Sequence, residues 1–211
     1  INEQMGMLQK ICFEKSVHLG FVFCQRFCLY RSGVVYAKEV LGLSKEIAKS
    51  GFSMFETGAI FGTLMWGFMS DMFKGRRALT ALIALVLIFF TLEIYQHAPN
   101  ASVYRWSMFA LGFLIFGPQL LIGVSAVGFV PKSAVSVADG VKGTFAYLLG
   151  DSFAKLGMGM MADNKEVMGL SGWTGTFTAM YGATIIAFII LAYVAYGEER
   201  KLRENKRLGI H

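Results

Sequence analysis

The run PKSAVSVADGVKGTFAYLLGDSFAKLGMGMMAD, Pro131 to Asp163, decides the reading of the chain. About 20 residues cross a bilayer as a helix, and this stretch is long enough. Yet it carries Asp139, Lys142, Asp151 and Lys155 among small and apolar residues. A charge in hydrocarbon costs on the order of 3 kcal/mol even on the lenient insertion scale. Four on one span imply mutual pairing, a water-filled cavity, or both. Asp139 and Lys142 are three apart and Asp151 and Lys155 four apart, spacings at which partners meet on a helix surface. At about 100° per residue the two pairs point to roughly opposite sides. One pair can line a polar pathway while the other faces a neighbouring helix; the alternative is that all four are structural pairs.

Composition sets the class. The 211 residues are 55% hydrophobic and 16% charged, with mean hydropathy +0.53. Lipid admits only helices or closed barrels, and these apolar runs are too long for barrel strands. The expectation is an all-α polytopic membrane protein. A net charge of +6 suggests nucleic acid, but the basic residues sit in loops and tail, where the positive-inside rule explains them without any nucleic-acid partner. Cys12, Cys24 and Cys28 have no histidines or further cysteines at ligand spacing, so neither a metal nor a disulfide is assigned. No cofactor is implied, and no nucleophile, base or metal constellation marks an enzyme. Starting on Ile1 without a cleavable signal, the chain reads as a fragment.

In order, residues 1–16 form a polar lead-in, 17–196 six spans, and 197–211 a basic tail. Val17–Ala37 is a poor span containing Gln25, Arg26 and Arg31. After a loop, Lys38–Ser50, comes Gly51–Ser70, with Gly51, Gly58, Gly62 and Gly67 for close packing. It carries Glu56, either a buried hydrogen-bonded carboxyl or part of the pathway. The turn DMFKGRR (Asp71 to Arg77) leads to Ala78–Leu92, almost purely aliphatic and expected to be the most lipid-exposed helix. A loop, Glu93–Arg105, precedes Trp106–Val130, which should break at Gly117-Pro118 before Gln119. The charged span follows, then a loop, Asn164–Gly172, and the last span, Trp173–Tyr196.

Several of these stretches resemble the major facilitator superfamily, and within it the organophosphate:phosphate antiporters. GFMSDMFKGRR (Gly67 to Arg77) is similar to the superfamily's cytoplasmic signature, in which a carboxylate and basic residues hold helix ends together; Asp71, Arg76 and Arg77 match it. The run from Phe109 to Asp163 is more specific, and SGWTGTF (Ser171 to Phe177) and EERK (Glu198 to Lys201) continue the match. The resemblance implies helices seven to twelve of a twelve-helix transporter, the C-terminal half. It implies uptake of sugar phosphates such as glucose 6-phosphate in exchange for inorganic phosphate, by alternating access across a bacterial inner membrane. Asp139 and Lys142 match the charged pair that the family associates with substrate preference. Lys142 would sit near the anionic part of the substrate, with Asp139 tempering its charge. A membrane sensor for extracellular glucose 6-phosphate is the rival reading, and the DGVKG segment (Asp139 to Gly143) favours a transporter.

The first span departs from the family pattern FANAFVYLVRYGVVDWAP, whose arginine binds phosphate. Phe23 to Tyr30 can be written TTT TGC CAA CGC TTT TGT TTA TAT, and dropping one nucleotide gives F-A-N-A-F-V-Y. A frame error thus accounts for the cysteines and Arg26. It leaves Arg31, a candidate phosphate ligand, about one residue from the family arginine's place, where it is either a displaced stand-in or an accident. With the N-terminal half and its own phosphate-binding arginine also missing, the chain alone is expected to be a partial, inactive copy.

Topology follows from counting Lys and Arg outside the spans. One side holds eleven, Lys10, Lys15, Lys74, Arg76, Arg77, Lys132, Arg200, Lys201, Arg203, Lys206 and Arg207. The other holds five, Lys38, Lys45, Lys49, Arg105 and Lys165. Both termini should therefore be cytoplasmic. An impermeant thiol reagent applied to intact cells should label single cysteines placed in 93–105 or 164–172 and spare one placed in the tail; outside labelling of the tail would reverse the orientation.

Overall fold

The computed structural model describes residues 33–73, 76–127, 136–137, 140, 143–144, 160 and 172–207. Within them a helical stretch at 33–39 precedes four helices: α1 (Lys45–Met72), α2 (Arg77–Gln96), α3 (Ala101–Val127) and α4 (Gly172–Arg207). No strand occurs among the described residues.

The helix ends follow local chemistry. Ser44 caps α1, its hydroxyl accepting from the Ile47 amide at 3.4 Å, and Glu46 adds negative charge to the first turn. The segment expected to be a loop, Lys38–Ser50, is therefore half helical: this cap starts α1 six residues before the apolar run at Gly51. α2 runs on past Leu92 to Gln96, so Glu93 is helical rather than in a loop, and Pro99 lies just beyond the His97 cap. α4 opens at Gly172, whose φ of 67° suits glycine. It continues for 36 residues through the tail to Arg207, well past the expected limit at Tyr196.

α1 and α3 run parallel and touch at backbone distance. Ala48 meets Tyr104, Phe55 meets Gly112, and Trp66 meets Gly117, so the contacts advance together along both helices. A Cβ on Gly58 would strike the Phe109 carbonyl, one on Gly62 the Phe113 carbonyl, and one on Gly112 the Phe55 carbonyl. Trp66 closes the C-terminal half of this seam by donating its indole N–H to the Phe113 carbonyl at 3.0 Å. In hydrocarbon, helices gain nothing by hiding apolar surface from water, so close van der Waals packing through small residues drives association.

α2 runs antiparallel to its neighbours and buries Ala81, Ala84, Leu85, Ile88, Leu92 and Tyr95, a stripe at helical spacing, while Leu79, Ile83, Val86, Leu87, Phe90 and Ile94 are exposed. The expectation that this helix is the most lipid-exposed is thus corrected: it packs against both α3 and α4, because alanines on its inner face let them approach. α3 also departs from expectation, running as one helix through Gly117-Pro118. Proline still removes the N–H that would bond to Leu114, but Gly117 rests on Trp66 of α1, and packing against a neighbour is what tolerates proline in such a helix. Hydroxyls are satisfied internally, as with Thr57 to Ser53, Thr91 to Leu87 and Thr184 to Met180, each donating to a carbonyl one turn back.

Gly62→Ala places a methyl against backbone, whereas Gly67 on the same helix has open space at its Cβ. Gly62→Ala should lower the thermal midpoint in detergent by the equivalent of about 1–3 kcal/mol. Gly67→Ala should be neutral or gain about 0.5–1 kcal/mol from its better helix propensity.

Candidate functional site

The two ends of the bundle are chemically different. At the end where 33–39, α2, α3 and α4 converge, aromatic residues form one cluster. The Tyr36 ring lies 5.7 Å from that of Tyr95, 5.2 Å from Trp173 and 4.9 Å from Phe177. Tyr95 lies 6.0 Å from Tyr104. These separations allow the tilted and edge-on contacts that favour aromatic pairs. The phenol hydroxyls bind backbone: Tyr36 donates to the Gln96 carbonyl at 2.9 Å, Tyr95 to the Gly33 carbonyl at 3.3 Å, and Tyr104 to the Ala48 carbonyl at 3.2 Å. The first two run in opposite directions between 33–39 and α2, so each element holds the other. Tyr181 of α4 donates to Gln96 Oε1 at 3.2 Å. Beside it Glu93 pairs with His97 at 3.4 Å when that histidine is protonated.

The opposite end carries the signature turn. Asp71 lies exposed in the last turn of α1, Arg76 caps α2, and Arg77 is the first residue of α2. Arg76 Nη2 stands 3.4 Å from Glu199 Oε1 on the extension of α4. With the side chains 42% and 35% exposed, the pair is worth at most about 1 kcal/mol. It links the start of α2 to the extension of α4. The sequence reading placed Glu199 only in a tail; the partners stand 123 positions apart, so no spacing rule reveals the pair.

Other polar groups lie along the helices. Glu56 is half-buried on α1. Ser70 Oγ and Gln119 Oε1 are buried without a hydrogen-bond partner. Among the described residues no group of three or more His, Cys, Asp or Glu side chains can hold a metal.

Asp139, Lys142, Asp151, Lys155 and Arg31 lie outside the described residues. Helical backbone is described at 136–137, 140 and 143–144, and Thr144 donates to the Gly140 carbonyl at 2.9 Å. Gly140 and Gly143 have open space where a Cβ would stand, and Ser136, Val137 and Thr144 are exposed. At helical spacing these five positions share one face, which the described residues leave open.

No family model matches the chain. Among the described residues two helices, Ala78–Gln96 and Gly172–Gly197, are long and apolar enough to cross a membrane. The sequence is 58% identical over 188 residues to the hexose-6-phosphate:phosphate antiporter of Salmonella typhimurium, which covers 89% of this chain and 41% of that protein. It is 57% identical to the antiporter of the same name from Escherichia coli K12, with the same coverage. It is 32% identical to the glycerol-3-phosphate transporter of Bacillus subtilis over 82% of this chain and 38% of that protein. The chain thus spans about two fifths of the length of these relatives, all of which are transporters. A chain whose described residues are helical, with this likeness along nine tenths of its own length, belongs to the organophosphate:phosphate antiporter family of the major facilitator superfamily, as part of one of its transporters.

Proposed function

We propose that this chain is the C-terminal half of an inner-membrane antiporter that exchanges hexose phosphates, glucose 6-phosphate among them, for inorganic phosphate, with both termini cytoplasmic. The observation that carries the reading is the 58% identity to a hexose-6-phosphate:phosphate antiporter, about twice that to the glycerol-3-phosphate transporter. Lys142 supplies positive charge to the phosphate, and Asp139 offsets it when the site is empty. Affinity comes from charge-assisted hydrogen bonds in a cavity of low dielectric, with no covalent step. Asp151 and Lys155 neutralise each other on the far side of the same helix. Arg31 enters the site only as a displaced stand-in for the family arginine. Motion between halves exposes the site alternately to the two sides of the membrane. Asp71, Arg76 and Arg77 hold the inner helix ends in register during that motion.

The 211 residues by themselves carry too little positive charge to draw a dianion out of water. Purified and reconstituted, they should show no saturable uptake of glucose 6-phosphate; saturable uptake would refute this.

A chimera tests the site. Residues 33–211, joined to the remaining portion of the Escherichia coli antiporter, should take up glucose 6-phosphate. Within it, Lys142→Cys leaves Asp139 as an unpaired carboxylate facing an anion. Breaking a buried pair typically costs about 3–5 kcal/mol, so uptake should fall at least about tenfold or the preferred organophosphate should change. Asp139→Cys with Lys142→Cys should be milder than the worse single change. Lys155→Cys should lower expression more than selectivity. If Lys155→Cys reorders the competing organophosphates and Lys142→Cys does not, the substrate pair is Asp151 and Lys155.

A further inference from the structure

The apolar stretches of the four described helices, 51–70, 78–92, 106–127 and 173–197, contain one charged side chain between them, Glu56 of α1. It stands about 16 Å from the start of α1 and about 24 Å from its end, within about 4 Å of the helix midpoint. A carboxylate at that depth belongs on a water-filled or protein-lined face, since hydrocarbon gives it nothing to bond. Glu56 is half-buried, and no hydrogen bond or ion pair reaches it from the described residues. It stands apart from the seam: Gly58 and Gly62, which meet α3, lie about 120–160° round the helix. α2 packs against α3 and α4 and only marginally against α1. Hydroxyls accompany the carboxylate. Thr63 lies two turns further on along nearly the same line, and Thr57 is the next residue. Thr57 donates to the Ser53 carbonyl and Thr63 to the Ile60 carbonyl, both at 2.8 Å. With those protons spent on their own helix, the threonine oxygens remain as acceptors, and a carboxylate has no donor either. Glu56, Thr57 and Thr63 therefore present acceptors alone, whereas α2 exposes only apolar side chains from Leu79 to Phe90.

We infer that Glu56 reads the hexose of the substrate, its carboxylate accepting hydrogen bonds from sugar hydroxyls while basic residues elsewhere hold the phosphate. This role presupposes the exchange proposed above and concerns the uncharged part of the solute. A surface of acceptors carrying negative charge repels phosphate, which is itself anionic and rich in acceptors. It suits a pyranose ring, whose hydroxyls can all donate. A hydroxyl bonded to an ionised oxygen makes a shorter and stronger bond than one bonded to a neutral oxygen. A negative charge in the wall of an anion pathway is otherwise a liability, because it opposes every phosphate that passes. A site built to hydrogen-bond a hydroxyl also rejects analogues that lack it. Glu56 thus separates hexose phosphates from inorganic phosphate and from short polyol phosphates at the sugar. One phosphate pocket can then serve both exchanged solutes.

The chimera described above carries the test, with labelled inorganic phosphate as the transported probe. Unlabelled glucose 6-phosphate, its deoxy analogues and inorganic phosphate are the competitors. A hydrogen bond to a charged group is worth about tenfold or more in affinity. Glu56→Gln should therefore weaken glucose 6-phosphate at least about tenfold relative to inorganic phosphate. Glu56→Asp, which keeps the charge but withdraws it by one methylene, should shift that ratio in the same direction, so the result does not depend on one variant folding. In the unmodified chimera at least one deoxy analogue should compete about tenfold less well than glucose 6-phosphate, and in Glu56→Gln the two should become equal. An unchanged ratio in both variants, as a carboxylate that merely pairs with a cation would give, overturns the assignment. A deoxy penalty that survives Glu56→Gln overturns it too. An unmodified chimera that takes up no glucose 6-phosphate overturns the exchange itself, and this role with it.

Discussion

The backbone-to-backbone seam of α1 and α3 is the contact on which the remaining packing rests. Gly58, Gly62 and Gly112 leave no side chain between the helices, so the carbonyls of Phe55, Phe109 and Phe113 lie against the neighbouring chain. That proximity lets Trp66 reach a carbonyl on the other helix and lets Tyr104 reach Ala48. α2 folds back antiparallel against α3, and α4 is laid on α2 through Tyr181, Phe89 and Phe177. Separating α1 from α3 by the width of one methyl would shift every one of those partners.

The two ends are fastened by different physics. At the aromatic end, phenols hydrogen-bond to carbonyls among packed rings, and losing either of the buried bonds of Tyr95 and Tyr104 strands a buried polar group. At the charged end, an Arg76–Glu199 pair exposed to solvent and salt contributes at most about 1 kcal/mol. The first end resists rearrangement, whereas the second exchanges partners cheaply.

The sequence conveyed the helical class, the approximate spans and the glycine code of α1, since membrane-length apolar runs and small-residue spacing are local signals. It misjudged features set by partners distant in sequence. The sequence groups Gly67 with Gly58 and Gly62, but its step of five residues from Gly62, rather than four, turns it about 140° round the helix, and it meets nothing. Gly117-Pro118 reads as a break, but Trp66 supports the turn. Ser44 is an ordinary helix cap hidden in a polar stretch read as loop. Charged residues past Tyr196 read as tail because polarity marks the end of a span and says nothing about the end of a helix. The reading of Asp139 and Lys142 rests on spacing and likeness alone, since both lie outside the described residues.

The seam also gives the bundle a mechanical character. Two parallel helices interlocked at backbone distance cannot slide past each other in small steps, since each glycine is seated against one particular carbonyl. They behave as a single stiff rod of about 40 Å, the length of a 27-residue helix. At the gripped end the Tyr104 ring of the rod packs 6.0 Å from Tyr95 of α2, whereas the Arg76–Glu199 pair at the other end joins α2 to α4 and leaves the rod untethered by charge. Pivoting it by about 10° about the gripped end sweeps the free end through about 7 Å, more than the 5.4 Å pitch of a helix. A rotation that small about the aromatic rings would displace the far end of the rod by more than a helical turn.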